Sequence, residues 1–113
     1  MIHEMKLQPE YYNYILNGTK RIEIRLFDEK RQRIKLEDTI KFLKEPELNE
    51  SFSVKVVELL RYKSFEDMFK DFDISILADK SMTKEELLFT LEKFYTKEKQ
   101  DKYGVLGIRI ELL

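Results

Sequence analysis

The chain has 113 residues, 42% of them apolar and 38% charged, with a net charge of −1 and an aromatic set of 8 Phe and 6 Tyr. That length suits a single domain, taken as residues 1–113, and the many large rings argue for a packed core rather than disorder. There is no cysteine and only one histidine, His3. Disulfide frameworks, thiolate zinc sites and cysteine nucleophiles are therefore excluded, and no metal or cofactor is expected. No apolar run approaches the roughly 20 residues that span a bilayer, so the expectation is a cytoplasmic protein without a membrane partner.

Met1 to Leu7 alternates as a first strand with Met5 and Leu7 inward and His3 an ordinary strand residue. Pro9 suits the first position of a helix over Glu10 to Asn17, whose apolar face pairs Tyr11 with Ile15 and Tyr12 with Leu16. Asn17-Gly18 ends that helix, the glycine taking a left-handed cap conformation. From Lys20 the period changes to two: Ile22, Ile24 and Leu26 share one face, and Arg21, Glu23 and Arg25 make the other entirely ionic. Phe27 to Arg33 is a polar connection of undefined geometry.

Ile40 and Phe42 mark a short strand that ends before Pro46, and Glu45 to Glu50 reads as a turn. Phe52 to Tyr62 is a long strand with Phe52, Val54, Val56, Leu60 and Tyr62 on one face and Val57 and Leu59 on the other. Apolar residues on both faces point to a strand bent around a barrel. Ser64 with Asp67 opens a helix whose apolar side is Met68, Phe69 and Phe72. Thr83-Lys84-Glu85-Glu86 is a capping box, and the helix behind it stripes Leu87, Leu88, Leu91, Phe94 and Tyr95. Thr96 to Lys102 reads as a further helical turn. A closing strand alternates Leu106, Ile108, Ile110 and Leu112 with Val105, Gly107, Arg109 and Glu111. The sum is an α+β domain of about five strands and three helices.

Charge is unevenly spread. Lys20, Arg21, Arg25, Lys30, Arg31, Arg33 and Lys35 stand against Glu23, Asp28 and Glu29, a local net of +4 that leaves −5 for the rest of the chain. Such asymmetry makes either a local anion-binding face or a solvated basic hairpin.

One ordered set of short motifs is specific in combination. Gly18-x-Lys20-x-Ile22-Glu23-Ile24-Arg25 follows a helix carrying Tyr14-Ile15-Leu16-Asn17. Asp38-x-Ile40-x-Phe42, Tyr62-Lys63-Ser64-Phe65 and Tyr103-Gly104-Val105-Leu106-Gly107-Ile108 come after it in order. Over nearly its whole length the chain thereby resembles the ASCH domain, a member of the PUA-like superfamily. The resemblance implies a small mixed β-barrel of five to six strands with flanking helices, and a cleft floored by the Gly-x-Lys segment. It also implies RNA or a modified nucleoside or nucleotide as the partner.

One bacterial branch of that family hydrolyses N-acetylated cytidine with a Gly-x-Lys-Thr-x-Thr-x-Arg segment, using the lysine, the second threonine and a later glutamate. Here Gly18, Lys20 and Arg25 match, while Glu23 stands in place of the catalytic threonine. Near the later glutamate the chain reads Asp79-Lys80-Ser81-Met82, and Leu36-Glu37-Asp38 lacks the Gly-Asp turn common in the family.

The residue chemistry agrees more with binding than with hydrolysis. Lys20 offers a point charge and, if buried, a depressed pKa; its alternative is a lysine snorkelling from the strand start. Arg25 offers a planar fork for a phosphate or a base edge, or an ion pair with Glu23. Glu23 is a general-base candidate, but cations on both sides lower its pKa and weaken it in that role. Arg21 and Arg31, with Lys30, Arg33 and Lys35, form either a phosphate-tracking rim or a solvated loop. Tyr95 and Tyr103 are stacking platforms for a base, or core, with Gly104 allowing close approach beside Tyr103.

The expected ligand-binding set is therefore Lys20, Arg21, Glu23, Arg25, Arg31, Tyr95 and Tyr103, with Lys20 and Glu23 as the catalytic candidates. The competing classes are an amidohydrolase acting on an acylated nucleoside, with water activated by Glu23, and a protein-interaction module.

Overall fold

Five strands, β1 (Ile2–Leu7), β2 (Ile22–Leu26), β3 (Thr39–Lys44), β4 (Ser51–Tyr62) and β5 (Val105–Leu112), form one curled sheet in the order β1-β3-β4-β5-β2. The computed structural model describes residues 1–113. β1 and β3 run parallel and every other pair is antiparallel, so β1 and β2 are the two edges of an α+β half-barrel. Five helices accompany it: α1 (Pro9–Leu16), α2 (Phe65–Phe69), α3 (Ile74–Leu77), α4 (Lys84–Phe94) and α5 (Lys97–Tyr103).

The two faces of the sheet bury two separate cores. Met5, Leu7, Ile40, Phe42, Val54, Val56, Leu106, Ile108 and Ile110 fill the concave side, where α1 adds Tyr12 and Ile15 and the β2–β3 connection adds Ile34. Ile22, Ile24, Leu26 and Val105 face the other way and pack against Phe65, Met68, Phe69, Leu77 and Leu87 from α2, α3 and α4. Burial on this scale stabilises by roughly 25 cal/mol per Å² of apolar surface removed from water, which is why every strand of the half-barrel is apolar on at least one side.

Local signals set the element ends. Thr83 and Glu86 exchange the two bonds of a capping box, Thr83 N–H to Glu86 Oε1 at 3.0 Å and Glu86 N–H to Thr83 Oγ at 3.1 Å. Ser64 Oγ accepts from Asp67 N–H at 3.1 Å and starts α2. Gly18 takes φ +86° just past α1, where a side chain would be strained. Phe27 to Arg33 closes as a 3-10 turn, with Asp28 accepting from the Arg31 backbone at 3.1 Å and from its guanidinium at 3.0 Å.

Several placements differ from the periodicity. Leu16 is 48% exposed, because Tyr12 and Ile15 rather than Tyr12 and Leu16 meet the sheet. In β4 a bulge inserts Val57 between the Val56–Ile110 and Glu58–Arg109 pairs. The extra residue reverses the faces beyond it, so Leu59 joins the concave core and Leu60 and Tyr62 join the helical one. Phe94 is 55% exposed instead of lying in the α4 stripe, since α4 ends there over a cleft. The short helix α3, capped by Asp73 through Ser75 N–H, has no periodic signature in its four residues.

Candidate functional site: a buried Lys-Glu-Arg cluster under an aromatic cleft

β2 is the strand on which both faces are dry. Its apolar face meets the helices, and its ionic face is turned into the gap between the two edges of the half-barrel. Lys20 is 3% exposed and Glu23 4%. A charge removed from water this far must be paired and hydrogen-bonded to persist, and each of these is.

The Lys20 ammonium donates to the carbonyls of Ile22 and Leu77, both at 2.6 Å, and faces the Glu23 carboxylate at 3.5 Å. Three donors thus have three acceptors. Glu23 accepts from Arg25 Nε and Nη2, both at 2.8 Å. The same Nη2 donates to the Lys6 carbonyl at 3.0 Å. Arg25 Nη1 takes no part in these bonds, and Tyr95 interacts with the same guanidinium.

The electrostatics follow from the geometry. Burial lowers the Lys20 pKa, opposed in part by Glu23. Burial alone would raise the Glu23 carboxyl, but Arg25 and Lys20 together more than offset it and hold it below the ordinary carboxylate range. Burial would likewise lower the Arg25 guanidinium, and Glu23 and then Tyr95 reverse that. A carboxylate held ionised and occupied on both oxygens is a weak proton acceptor at neutral pH.

Above the cluster lies a cavity of about 380 Å³. Tyr11 from α1 and Leu87, Thr90, Leu91, Phe94 and Tyr95 from α4 form its walls, Glu23 and Arg25 its floor, and Lys6, Gln8 and Glu45 its mouth. Gln100, buried on α5, holds the wall in place: its amide donates to the Tyr95 carbonyl at 2.9 Å and its oxygen accepts from Phe65 N–H at 3.1 Å. Apolar walls around a few convergent polar groups are the common make-up of a small-molecule site.

Of the residues singled out in the sequence, Lys20, Glu23, Arg25 and Tyr95 converge on this cleft. Arg21 is exposed at the opposite end of β2, beside Gly18 and Arg109. Arg31 is tied to Asp28 in the connection after β2, and Tyr103 lies in a separate groove with Arg61, Lys63 and Lys102. The basic run from Lys20 to Lys35 is therefore not one face. Tyr11, Thr90 and Phe94 were not anticipated as cleft residues; Phe94 and Tyr95 carry a helical-core pattern, and nothing local marks Tyr11 or Thr90.

Comparison with known proteins agrees with the fold. The hypothetical protein PH0355 is 38% identical over the full length of both chains, and its crystal structure superposes with a TM-score of 0.87. The solution structure of protein PF0455 from Pyrococcus furiosus is 37% identical, with 100% of this chain and 98% of that one covered and a TM-score of 0.80. A ZmASCH mutant protein from Zymomonas mobilis shares the fold at 10% identity and a TM-score of 0.65, over 97% of this chain and 67% of its own. No functionally curated protein matches the chain. The model of the ASCH domain matches residues 5–113. With its PUA-like half-barrel, the chain belongs to the ASCH domain family.

Proposed function

We propose that the protein binds RNA by taking a nucleobase, or a free modified nucleoside or nucleotide, into the cleft above Arg25. One observation carries this reading: a flat-walled aromatic cavity of about 380 Å³ ends on a carboxylate and a guanidinium side by side. The guanidinium is the donor on that floor, suited to an acceptor on the edge of a base, and the Glu23 carboxylate holds it in place. Tyr11, Phe94 and Tyr95 supply ring surface for stacking, whose contribution is roughly 1–3 kcal/mol per base. Within this reading Arg25 contacts the ligand, Glu23 orients Arg25, and Lys20 holds Glu23 and the strand start in place.

Titration with the four nucleoside monophosphates, followed by amide chemical shifts, tests the proposal. Shifts should cluster at Glu23 to Arg25, Thr90 and Tyr95, and Arg25→Ala should abolish them while the other resonances stay dispersed. Saturating nucleotide that leaves those amides unmoved removes the reading.

A further inference from the structure

A second surface on the molecule has the make-up of a nucleic-acid track. We infer that the groove between the end of β4 and α5, built on Arg61, Lys63, Lys102 and Tyr103, carries the sugar–phosphate backbone of a single strand that delivers a base to the Arg25 cleft. The inference rests on the reading of that cleft as a base pocket.

The groove is open and about 880 Å³ in volume. Arg61, Lys63 and Lys102 are exposed in it, and none of the three has a carboxylate within ion-pair distance. Its two carboxylates are Asp67, which is engaged by Lys70 at 3.5 Å, and Asp101. Two of the three cations lie against rings. The Arg61 guanidinium is 4.0 Å from the Phe27 ring centre, and the Lys102 ammonium is 5.1 Å from that of Tyr103. Unpaired cations alternating with ring faces match the alternation of phosphates and bases in a single strand. Gly104, at φ +74°, leaves bare backbone on the floor, and a Cβ there would come within 3.3 Å of the Tyr62 carbonyl.

The groove and the cleft are joined by two independent links. Leu106 of β5 pairs with Arg25 on one side and Arg61 on the other, so the two arginines flank it on the same face. They stand two strand spacings, about 10 Å, apart. Phe27, one residue beyond β2, lies between them: its ring carries Arg61 and its N–H bonds the Gly104 carbonyl at 3.0 Å. On the other side Gln100 lines the groove while its amide holds Tyr95 in the cleft wall. A strand leaving the cleft past Phe27 meets Arg61 first, then Lys63 and Lys102. The connection that Phe27 opens adds Lys30 and Arg33, both exposed.

The test pairs an oligonucleotide with a mononucleotide. Binding of an end-labelled single-stranded RNA of about ten nucleotides is followed by fluorescence anisotropy across a salt series. The charge-swapped variant Lys63→Glu/Lys102→Glu alters exposed side chains only. It should weaken RNA binding at least tenfold and flatten the salt slope by about 1.4, the share of two phosphate contacts. Tyr103→Ala should weaken binding several-fold with the salt slope kept. Mononucleotide shifts at Arg25 should be those of the wild type in both variants.

RNA affinity and salt slope unchanged by the charge swap overturn the groove. So does RNA binding that is absent at low salt while mononucleotide shifts persist. RNA binding that depends on Lys63 and Lys102, in a protein whose Arg25 cleft ignores mononucleotides, supports the groove and removes the cleft reading instead.

Discussion

Arg25 Nη2 donates to the Lys6 carbonyl at 3.0 Å, joining β2 to β1, the two edges of the sheet, which share no backbone ladder. The gap in the half-barrel is thus spanned by a side chain at the spot where the cleft opens. One residue serves both the closure of the barrel and the floor of the cleft, so the shape of the cleft depends on the closure.

The buried cluster sets two cations around one carboxylate, so losing Glu23 leaves Lys20 and Arg25 uncompensated, and losing Arg25 strips the Glu23 carboxylate of its shortest partner. Arg25→Ala should cost about 3–5 kcal/mol, the range for breaking a buried ion pair. The double variant Glu23→Leu/Arg25→Met leaves one buried cation, Lys20, where Glu23→Leu alone leaves two, and should cost less than Glu23→Leu. Urea unfolding of the three variants compares these costs; a double variant less stable than Glu23→Leu contradicts this account.

Lys20 is a fastener in this structure. Lys20→Met removes the donor for the Ile22 and Leu77 carbonyls and should destabilise by about 3–6 kcal/mol, the loss of two buried hydrogen bonds to a charged group. Because Leu77 belongs to α3, hydrogen exchange should rise first at α3 and at the start of β2. Full protection of both segments in the variant would show that these bonds contribute nothing.

His3 Nε2 lies 2.8 Å from Asp38 Oδ2, and the Lys35 N–H donates to the same oxygen at 3.0 Å. The His3 contact and then the Lys35 amide hold the Asp38 carboxyl at about 2, from an ordinary 3.8. A carboxyl depressed by folding contributes stability that is present above its unfolded value and lost as pH falls through its folded value. Stability should therefore decline between about pH 4 and pH 2, and Asp38→Asn should flatten that limb. Thermal unfolding across the interval decides it, and an equally steep decline in Asp38→Asn locates the acid sensitivity elsewhere.

Glu37 sits at φ +76°, in the turn where the resemblance places a glycine. Its N–H bonds the Val56 carbonyl at 2.9 Å, so the turn is formed in spite of the residue. Glu37→Gly should stabilise by roughly 0.5–1 kcal/mol, since the left-handed conformation costs a side-chain-bearing residue about 1–2 kcal/mol. The Lys55 ion pair it gives up is exposed and screened by solvent, so it weighs less than the backbone strain. A lower denaturation midpoint in Glu37→Gly would mean that the ion pair outweighs the backbone strain.

Much of the frame is legible from neighbours in the chain, because it depends on them. Pro9 and Gly18 bracket α1, the Thr83–Glu86 box opens α4, and the alternation of Ile22, Ile24 and Leu26 or of Ile40 and Phe42 shows which side of a strand meets apolar packing. The bulge at Val57 is not legible, since an inserted residue looks like any other until its partner strand is placed. α3 is too short for a period to register.

The sequence by itself determined that Glu23 and Arg25 share one face of a strand that begins just after Lys20, and that Glu23 stands where the resemblance implies a hydroxyl in the family's hydrolytic branch. Only the tertiary structure decided what those groups are available to do. The Leu77 carbonyl, 57 residues away, takes a hydrogen of Lys20, and the Lys6 carbonyl takes one from Arg25. α4 then brings Phe94 and Tyr95 into the cleft that Arg25 lines. Side-chain type and spacing are local properties. The count of free donors is set by acceptors that long-range packing supplies, so which group faces the ligand is decided by the fold.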